Sequence, residues 1–306
     1  MDGATPEDIG RRMDGLGLWD AAAACNWGVK PRGVAFPYFC SFVRGDGRPV
    51  KARFLMLDGW QTFHDYMRFG LDRDFGFYST PSEMPHFELV VTADGAAHVF
   101  RHDPGYVPRR LDGDAERALV AKVLWESYGV MLRLESAPGL AMAYAADKAM
   151  FGRVERDGAW ADAPLPIPDP RPHVEKVTFR KDVVARAKDL PLDASRAVEL
   201  DFRLLPNVVT REPRPRSAYQ LAAVDPATGE VVMRERVSVG PEFGLRAMWE
   251  SVPPRVLANF VRAGRVPGEI RVLTARVFRL MRPLCLELPV KLSLHDALPA
   301  LARAFA

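Results

Sequence analysis

The chain has 306 residues, which at the usual ~150 residues per domain corresponds to about two domains. It is 48% apolar and 26% charged, a composition typical of soluble globular proteins and not of disordered or fibrous ones. Its 42 basic and 39 acidic side chains leave a net charge of +3, which is too small to require an anionic partner.

The cysteines and the apolar segments indicate the cellular compartment of the protein. Cys25, Cys40 and Cys285 have neither the paired spacing of zinc ligands nor the even number of a disulfide framework, so they indicate small core residues in a reducing environment. The first twenty residues contain no hydrophobic signal region, and the longest nearly apolar stretch, residues 139–146, is too short to cross a bilayer. These features predict a cytoplasmic protein without membrane contact.

The amino-terminal half shows hairpin patterns. A short helix is predicted near residues 18–25, a hairpin over residues 38–57 around the turn at 45–47, and a helix that begins after Asp58. A second hairpin is predicted over residues 86–102.

The second hairpin is predicted to turn at a two-residue loop, Asp94-Gly95. That loop sets Glu88 opposite Arg101 as a cross-strand charge pair. It also places on one face of the hairpin the side chains of Phe87, Leu89, Val91, His98, Phe100 and His102.

A long helix over about residues 112–134 and two strands within 140–162 complete the first half. Residues 163–172 then contain five prolines, which is typical of a stiff connector. The predicted organisation is an α+β domain over 1–162, a linker over 163–172 and a second domain over 173–306.

The second half alternates strands with helices, which predicts an open mixed sheet covered by helices. The fold class is therefore α+β or α/β in two modules. A break is expected at Pro253-Pro254 in the helix predicted over 241–260. The predicted strands are 197–205, 218–224, 230–239, 269–273 and 284–292, and the predicted helices are 180–188, 275–281, 241–260 and 296–305.

Two segments resemble a known family. The stretch Val99 to Leu111, which reads VFRHDPGYVPRRL, resembles an Arg…Pro-Gly-Tyr-x-Pro motif in the first half of an uncharacterised bacterial two-domain family, although Arg109 stands where the family pattern has an aromatic residue. The carboxy-terminal segment is similar to that family's second half, with a strand ending in Asp225, a turn at Gly229 and a terminal Leu-Pro-Ala-Leu at 298–301. The resemblance implies the two-module architecture and a bacterial origin. Both halves of the family are domains of unknown function, so it implies no catalytic residue.

The element order after residue 197 also resembles the ribonuclease H-like fold, whose enzymes hold two magnesium ions with carboxylates. Asp225 together with Glu242 or Glu250 would take the first two positions, and Asp296 lies farther on. Asp225 is, however, also the residue expected in its turn for turn chemistry alone. A metal-dependent nuclease is therefore an alternative and not the leading hypothesis.

His98 and His102 share a strand face and are candidate metal ligands, with His86 or Asp103 nearby. Their predicted apolar neighbours, and the flatness of a strand face, favour buried or rim histidines over a metal site.

Candidate nucleic-acid contacts are mainly arginines, all close to acidic residues, which favours solvated loop charge. No nucleophile elbow, phosphate loop or dinucleotide fingerprint occurs, so no cofactor and no catalytic set are predicted. The leading hypothesis is a non-catalytic binding or scaffolding role with a protein partner, and nucleic-acid binding without catalysis is the second alternative. The candidate nucleic-acid contacts are Tyr106, Arg109, Arg110, Arg211, Arg214 and Arg216.

Overall fold

The computed structural model describes residues 3–17, 19, 25–44, 49–71, 83–140, 148–171, 175–240 and 244–305. These residues divide into two compact units. The first comprises residues 3–67, 83–103 and 108–171, and the second comprises 68–71, 104–107 and 175–305. Most of the helix predicted at 18–25 and the turn predicted at 45–47 lie outside the described residues.

The two mixed sheets and their helices confirm the predicted α+β class. In the described part of the chain, no helix is both long and apolar enough to span a membrane. The helices are α1 Pro6–Gly15, α2 Gly59–Leu71, α3 Gly113–Ser136, α4 Lys181–Lys188, α5 Leu245–Glu250, α6 Val252–Ala263, α7 Ala275–Glu287 and α8 Pro299–Ala304. The strands are β1 Asn26–Lys30, β2 Tyr38–Arg44, β3 Val50–Asp58, β4 His86–Thr92, β5 Ala97–His102, β6 Arg109–Arg110, β7 Ala149–Arg156, β8 Ala159–Pro166, β9 Leu192–Val209, β10 Ser217–Val224, β11 Val231–Val237, β12 Val266–Val272 and β13 Lys291–Leu294.

The first unit is built on an eight-stranded sheet with the order β6-β5-β4-β3-β2-β1-β7-β8. Neighbouring strands are antiparallel except β1 and β7, which are parallel. The predicted hairpin of β2 and β3 is confirmed, and so are α2 after it and the long helix α3. One sheet face packs against α1 and α3, and the other carries a smaller aromatic cluster that includes Phe39 and Leu57 of the sheet and Phe63 of α2.

The predicted register of the β4–β5 hairpin is wrong by one residue. His86 pairs with His102, and Phe87, not Glu88, pairs with Arg101. The cause is the loop, which has three residues because the Thr92 amide donates to the carbonyl of Ala96 at 2.9 Å. Since side chains alternate along a strand, a one-residue difference in register changes which side chains share a face. The face of His98, Phe100 and His102 therefore carries His86, Glu88 and Val90 from β4.

The proline-rich stretch begins inside a strand. Pro164 and Pro166 belong to β8, which pairs only with β7 at the edge of the sheet. Proline cannot donate a backbone hydrogen bond, and an edge strand tolerates it because one side needs no donor. The segment predicted as a connector over 163–172 thus has its first four residues in the first sheet.

The second unit contains a five-stranded sheet with the order β11-β10-β9-β12-β13. Strands β9, β10 and β11 are antiparallel neighbours, whereas β12 is parallel to both β9 and β13. Helices α4 to α7 cover one face, where their apolar side chains form a core with Val198, Leu221 and Ile270 of the sheet. Helix α8 packs on the other face, where Leu301 joins Ala222.

Two predictions in this unit need correction. The strand predicted at 284–292 is wrong, because α7 continues to Glu287 and β13 is Lys291–Leu294. Leu284 packs into the core from the helix, and short apolar runs suit either structure. The helix break comes at Ser251, and Pro253 and Pro254 lie in the first turn of α6, where a missing amide proton costs no hydrogen bond. Residues 241–243 lie outside the described residues.

Candidate metal centre

Three buried side chains with metal-ligating groups meet on the first sheet. His86 and Glu88 are two residues apart on β4, and so lie side by side on one face, while His102 lies directly opposite His86 on β5. Their exposed fractions are 2%, 6% and 4%. One ligand atom from each residue lies within 4.8 Å of the other two, and no second group of this kind occurs in the described part of the chain.

Hydrogen bonds determine which ring nitrogens carry a lone pair. His86 Nδ1 lies 2.8 Å from the carbonyl oxygen of Met84, and a carbonyl only accepts, so Nδ1 carries the proton and Nε2 has the lone pair. His102 Nε2 donates to Glu88 Oε2 at 2.9 Å. The other ring nitrogen of His102, Nδ1, is buried and has no hydrogen-bond partner among the described residues.

The protonation states also suit a cation. Burial, with the neighbouring His102, lowers the pKa of His86 to about 3, so the imidazole is neutral at neutral pH. Burial alone would raise the pKa of Glu88, but the hydrogen bond from His102 and the nearby Arg53 lower it, so the carboxylate is ionised. Arg53 donates to Glu88 Oε1 at 3.1 Å. The cluster therefore offers the neutral imidazole of His86 and the ionised carboxylate of Glu88.

The surroundings hold the three side chains in place. The rings of His86 and His102 stack with centroids 4.1 Å apart. On the neighbouring strands, Leu57 pairs with His86 and Phe39 pairs with Leu57, so an apolar row continues from the imidazoles across the sheet. The three side chains thus project from paired strands beside an apolar cluster, and none of them lies on a loop.

His98, the other predicted metal candidate, is not part of the cluster. It lies on the same face, four residues from His102, and its Nδ1 is 3.0 Å from a guanidinium nitrogen of Arg110. The sequence signal that could have found the cluster was the pair His86 and His102 at the two ends of one hairpin. The pair was not recognised because the register of a two-residue loop places His102 on a face with apolar residues.

The acidic candidates for a two-metal site do not converge in the described part of the chain. Asp225 Oδ1 accepts from the amides of Ala227 and Thr228, and Oδ2 accepts from Arg196 at 2.8 Å. These bonds lower the pKa of Asp225 against the effect of burial. Asp225 therefore caps its turn and binds an arginine.

Of the other acidic candidates, two belong to the described part of the chain. Glu250 accepts from the Lys176 amide at 2.7 Å. Asp296 is exposed after β13. Glu242 lies outside the described residues.

The first strand of the second sheet is β9, and its acids were not predicted as candidates. Glu199 accepts from the amide of Leu301 at 2.7 Å, and Asp201 accepts from the amide of Phe202 at 2.8 Å. Both are buried, at 2% and 8% exposed. Burial raises the pKa of Asp201.

The predicted nucleic-acid contacts fall into the two units. In the second unit, Tyr106 forms an isolated bridge with Arg216, and the Arg214 guanidinium lies 4.0 Å from the centroid of the Tyr106 ring. Arg216 also contacts Glu212 and the carbonyl of Val239, and Arg211 is exposed.

In the first unit, the two arginines of β6 have partners of their own. Arg109 forms a two-pronged ion pair with Glu116, both bonds being 2.8 Å, and Arg110 lies over the ring of Phe100.

Among known protein families, one family model matches part of the chain. Residues 183–306 match a family model described as a domain of unknown function, DUF6930. This agrees with the resemblance of the carboxy-terminal segment to an uncharacterised family. No curated protein and no solved structure matches the chain.

Proposed function

We propose that this chain is a non-catalytic binding protein whose amino-terminal unit holds a divalent transition-metal ion at His86, Glu88 and His102. The observation that carries the proposal is the approach of three buried ligand atoms to within 4.8 Å of one another. Two imidazoles and a carboxylate are a donor set that zinc takes in proteins.

The charges support a divalent ion in particular. Glu88 supplies one negative charge and His86 a neutral imidazole, so the charge of a divalent cation would be partly neutralised there. Imidazole nitrogen favours zinc, copper, iron or nickel over magnesium and calcium, which prefer sites made of oxygen ligands. Zinc is therefore the natural probe.

The hydrogen bonds support a site prepared for an ion. A ligating histidine generally donates its second ring proton to a carbonyl or carboxylate, which fixes the ring and its tautomer. His86 makes this bond to Met84. The partnerless Nδ1 of His102 supports the same proposal, since a buried polar atom without a partner costs about 1–3 kcal/mol.

The second unit supports a ribonuclease H-like fold. If its strands are numbered from β9, their order is three-two-one-four-five, with the first three antiparallel and the last two parallel to the first. A two-metal nuclease finds no support, because Asp225 is bound to its turn amides and Arg196, and the described acids form no second ligand group. The three cysteines are free thiols, which supports a reducing, cytoplasmic setting, and the family resemblance of the two segments supports a bacterial origin.

Equilibrium dialysis of the full chain against zinc tests the proposal. Wild-type protein is expected to bind one zinc ion per chain. Each of His86→Gln, Glu88→Gln and His102→Gln should lower the affinity by more than about tenfold, the loss that even an outer-shell partner produces. Far-ultraviolet circular dichroism of each variant checks that the sheet has formed.

His98→Gln is the matched control, because it makes the same substitution on the same strand and face. It should leave zinc binding unchanged. Equal losses in His98→Gln and His102→Gln, or the absence of stoichiometric binding in folded wild-type protein, would contradict the proposal.

A further inference from the structure

The second unit contains a cleft at the end of β11. Its volume is about 500 Å³, which falls in the range of about 300–1,000 Å³ that is typical of small-molecule sites. The residues that line it come from the segments 176–178, 237–240, 247–250 and 251–255. All of these segments belong to the second unit, so the cleft is independent of the candidate metal centre in the first.

The deep part of the cleft is apolar. Val237 of β11 and Met248 of α5 are buried and belong to the core of the unit. Ala247 and Pro254 add apolar surface and are half-buried. Because Ala247 carries only a methyl group, it leaves volume in the cleft that a larger side chain would fill. Such a surface favours a ligand with an apolar body.

The mouth of the cleft carries two basic side chains, Lys176 and Arg255, which are both exposed. Lys176 forms no ion pair with the described residues. Arg255 donates from Nε to Ser251 Oγ at 3.3 Å and from Nη1 to Glu235 at 3.0 Å, and its Nη2 makes no hydrogen bond with any residue that the structure describes. One ammonium group and one guanidinium nitrogen are therefore available to a ligand.

Glu250 also lines the cleft, but its carboxylate has donors of its own. Its Oε1 accepts from the amide of Lys176 at 2.7 Å and lies 3.4 Å from Nε of Arg246. The hydrogen bond ties the extended segment before α4 to α5, which places Lys176 beside the cleft. The guanidinium of Arg246 offsets the charge of Glu250, so Lys176 and Arg255 determine the sign of the charge at the mouth.

We infer that the cleft binds a small organic carboxylate, with its apolar body against Val237 and Met248 and its carboxylate group between Lys176 and Arg255. A carboxylate has two oxygens, and the mouth offers a cationic donor for each of them. Charge-assisted hydrogen bonds of this kind are about twice as strong as neutral ones. This ligand site is separate from the proposed metal site and does not rest on it.

Ligand-observed NMR titration of the full chain in chelator, with naphthylacetate as the probe, tests the inference. Saturable binding of one molecule per chain is expected. Naphthylacetamide keeps the apolar body and loses the charge, so it should bind about tenfold more weakly. Acetate keeps the charge and loses the apolar body, so it should not displace the probe at equal concentration.

Substitutions in the cleft locate the site. Lys176→Gln should weaken the binding of naphthylacetate about tenfold, whereas Lys181→Gln, the same change at an exposed lysine outside the cleft, should leave it unchanged. Ala247→Leu should abolish binding because the larger side chain fills the cleft. Its matched control is Ala258→Leu, at an exposed position of α6, which should bind as wild type does. Far-ultraviolet circular dichroism checks that each variant is folded.

Equal binding of naphthylacetate and its amide, or no saturable binding of naphthylacetate, would overturn the inference. Tighter binding of naphthylmethylamine would also overturn it, since it would indicate a cationic ligand held by Glu250. Equal losses in Lys176→Gln and Lys181→Gln, or unchanged binding in folded Ala247→Leu, would place the carboxylate outside the cleft and contradict the assignment.

Discussion

At the scale of the residue, two carboxylates of the second unit differ in what their surroundings do to their charge. Burial raises the pKa of Asp201, whose one hydrogen bond in the described structure comes from the Phe202 amide. The turn amides and Arg196 instead lower the pKa of Asp225. Ionised Asp201 therefore costs stability, whereas ionised Asp225 contributes to it.

Asp201→Asn is expected to stabilise the protein at neutral pH, because it removes a charge that burial disfavours. The folded state holds the proton of Asp201 more tightly than the unfolded state does. Stability therefore falls as pH rises from the unfolded pKa through the raised folded one. The advantage of the asparagine should be full above that range and vanish below it, as urea unfolding at neutral and acidic pH would reveal.

Asp225→Asn is the matched control for that measurement. It keeps an oxygen for the turn amides but loses the charge that binds Arg196, so it should destabilise by about 1–3 kcal/mol at neutral pH. Because the folded pKa is lowered, this loss should shrink as pH falls through it. Destabilisation by Asp201→Asn at neutral pH would contradict the assignment of Asp201 as a buried, unpaired charge.

At the scale of the element, the loop of the β4–β5 hairpin decides which side chains meet at the candidate metal centre. Asp94-Gly95 is a strong signal for a two-residue loop, but the loop also includes Ala93. Within it, Gly95 takes a positive φ of 81°. The strands themselves were predictable from their patterns. Their register was not, because loops of two and three residues share the same Asp-Gly signal and only the pairing of Thr92 with Ala96 separates them.

Gly95→Ala should therefore lower the free energy of unfolding by about 1 kcal/mol, since a side chain disfavours the left-handed region. A Cβ at Gly95 would meet no atom within 4 Å, so the cost comes from the backbone alone. Gly129→Ala in the middle of α3 also meets nothing within 4 Å and should raise stability by about 0.5–1 kcal/mol. Chemical unfolding of both variants measures the contrast, and an unchanged Gly95→Ala would argue against the positive φ at Gly95.

Helix α7 is a second place where the sequence pattern did not determine the secondary structure. Residues 284–287 were predicted as the start of a strand because the run after Pro283 is apolar and short. In the fold the helix continues through Pro283, and Leu280 and Leu284 share the core face. Tertiary packing, which the local sequence does not contain, decides between the two structures.

At the scale of the whole molecule, the patterns of strands and helices were sufficient to predict two α+β modules, the second with a mixed sheet covered by helices. It could not predict the parallel pairing of β1 with β7, which joins strands separated by more than a hundred residues. The candidate metal centre also depends on neighbouring strands, because His102 meets His86 and Glu88 across a hairpin.

The first sheet is proposed to hold a metal ion through nitrogen and oxygen ligands and not through the cysteines. X-ray absorption at the zinc edge of the full chain loaded with one equivalent of zinc tests this ligand set. We expect nitrogen and oxygen neighbours at about 2.0–2.2 Å with the scattering pattern of two imidazoles, and loss of that pattern in His102→Gln. A sulfur shell at about 2.3 Å, or a spectrum unchanged in His102→Gln, would contradict it.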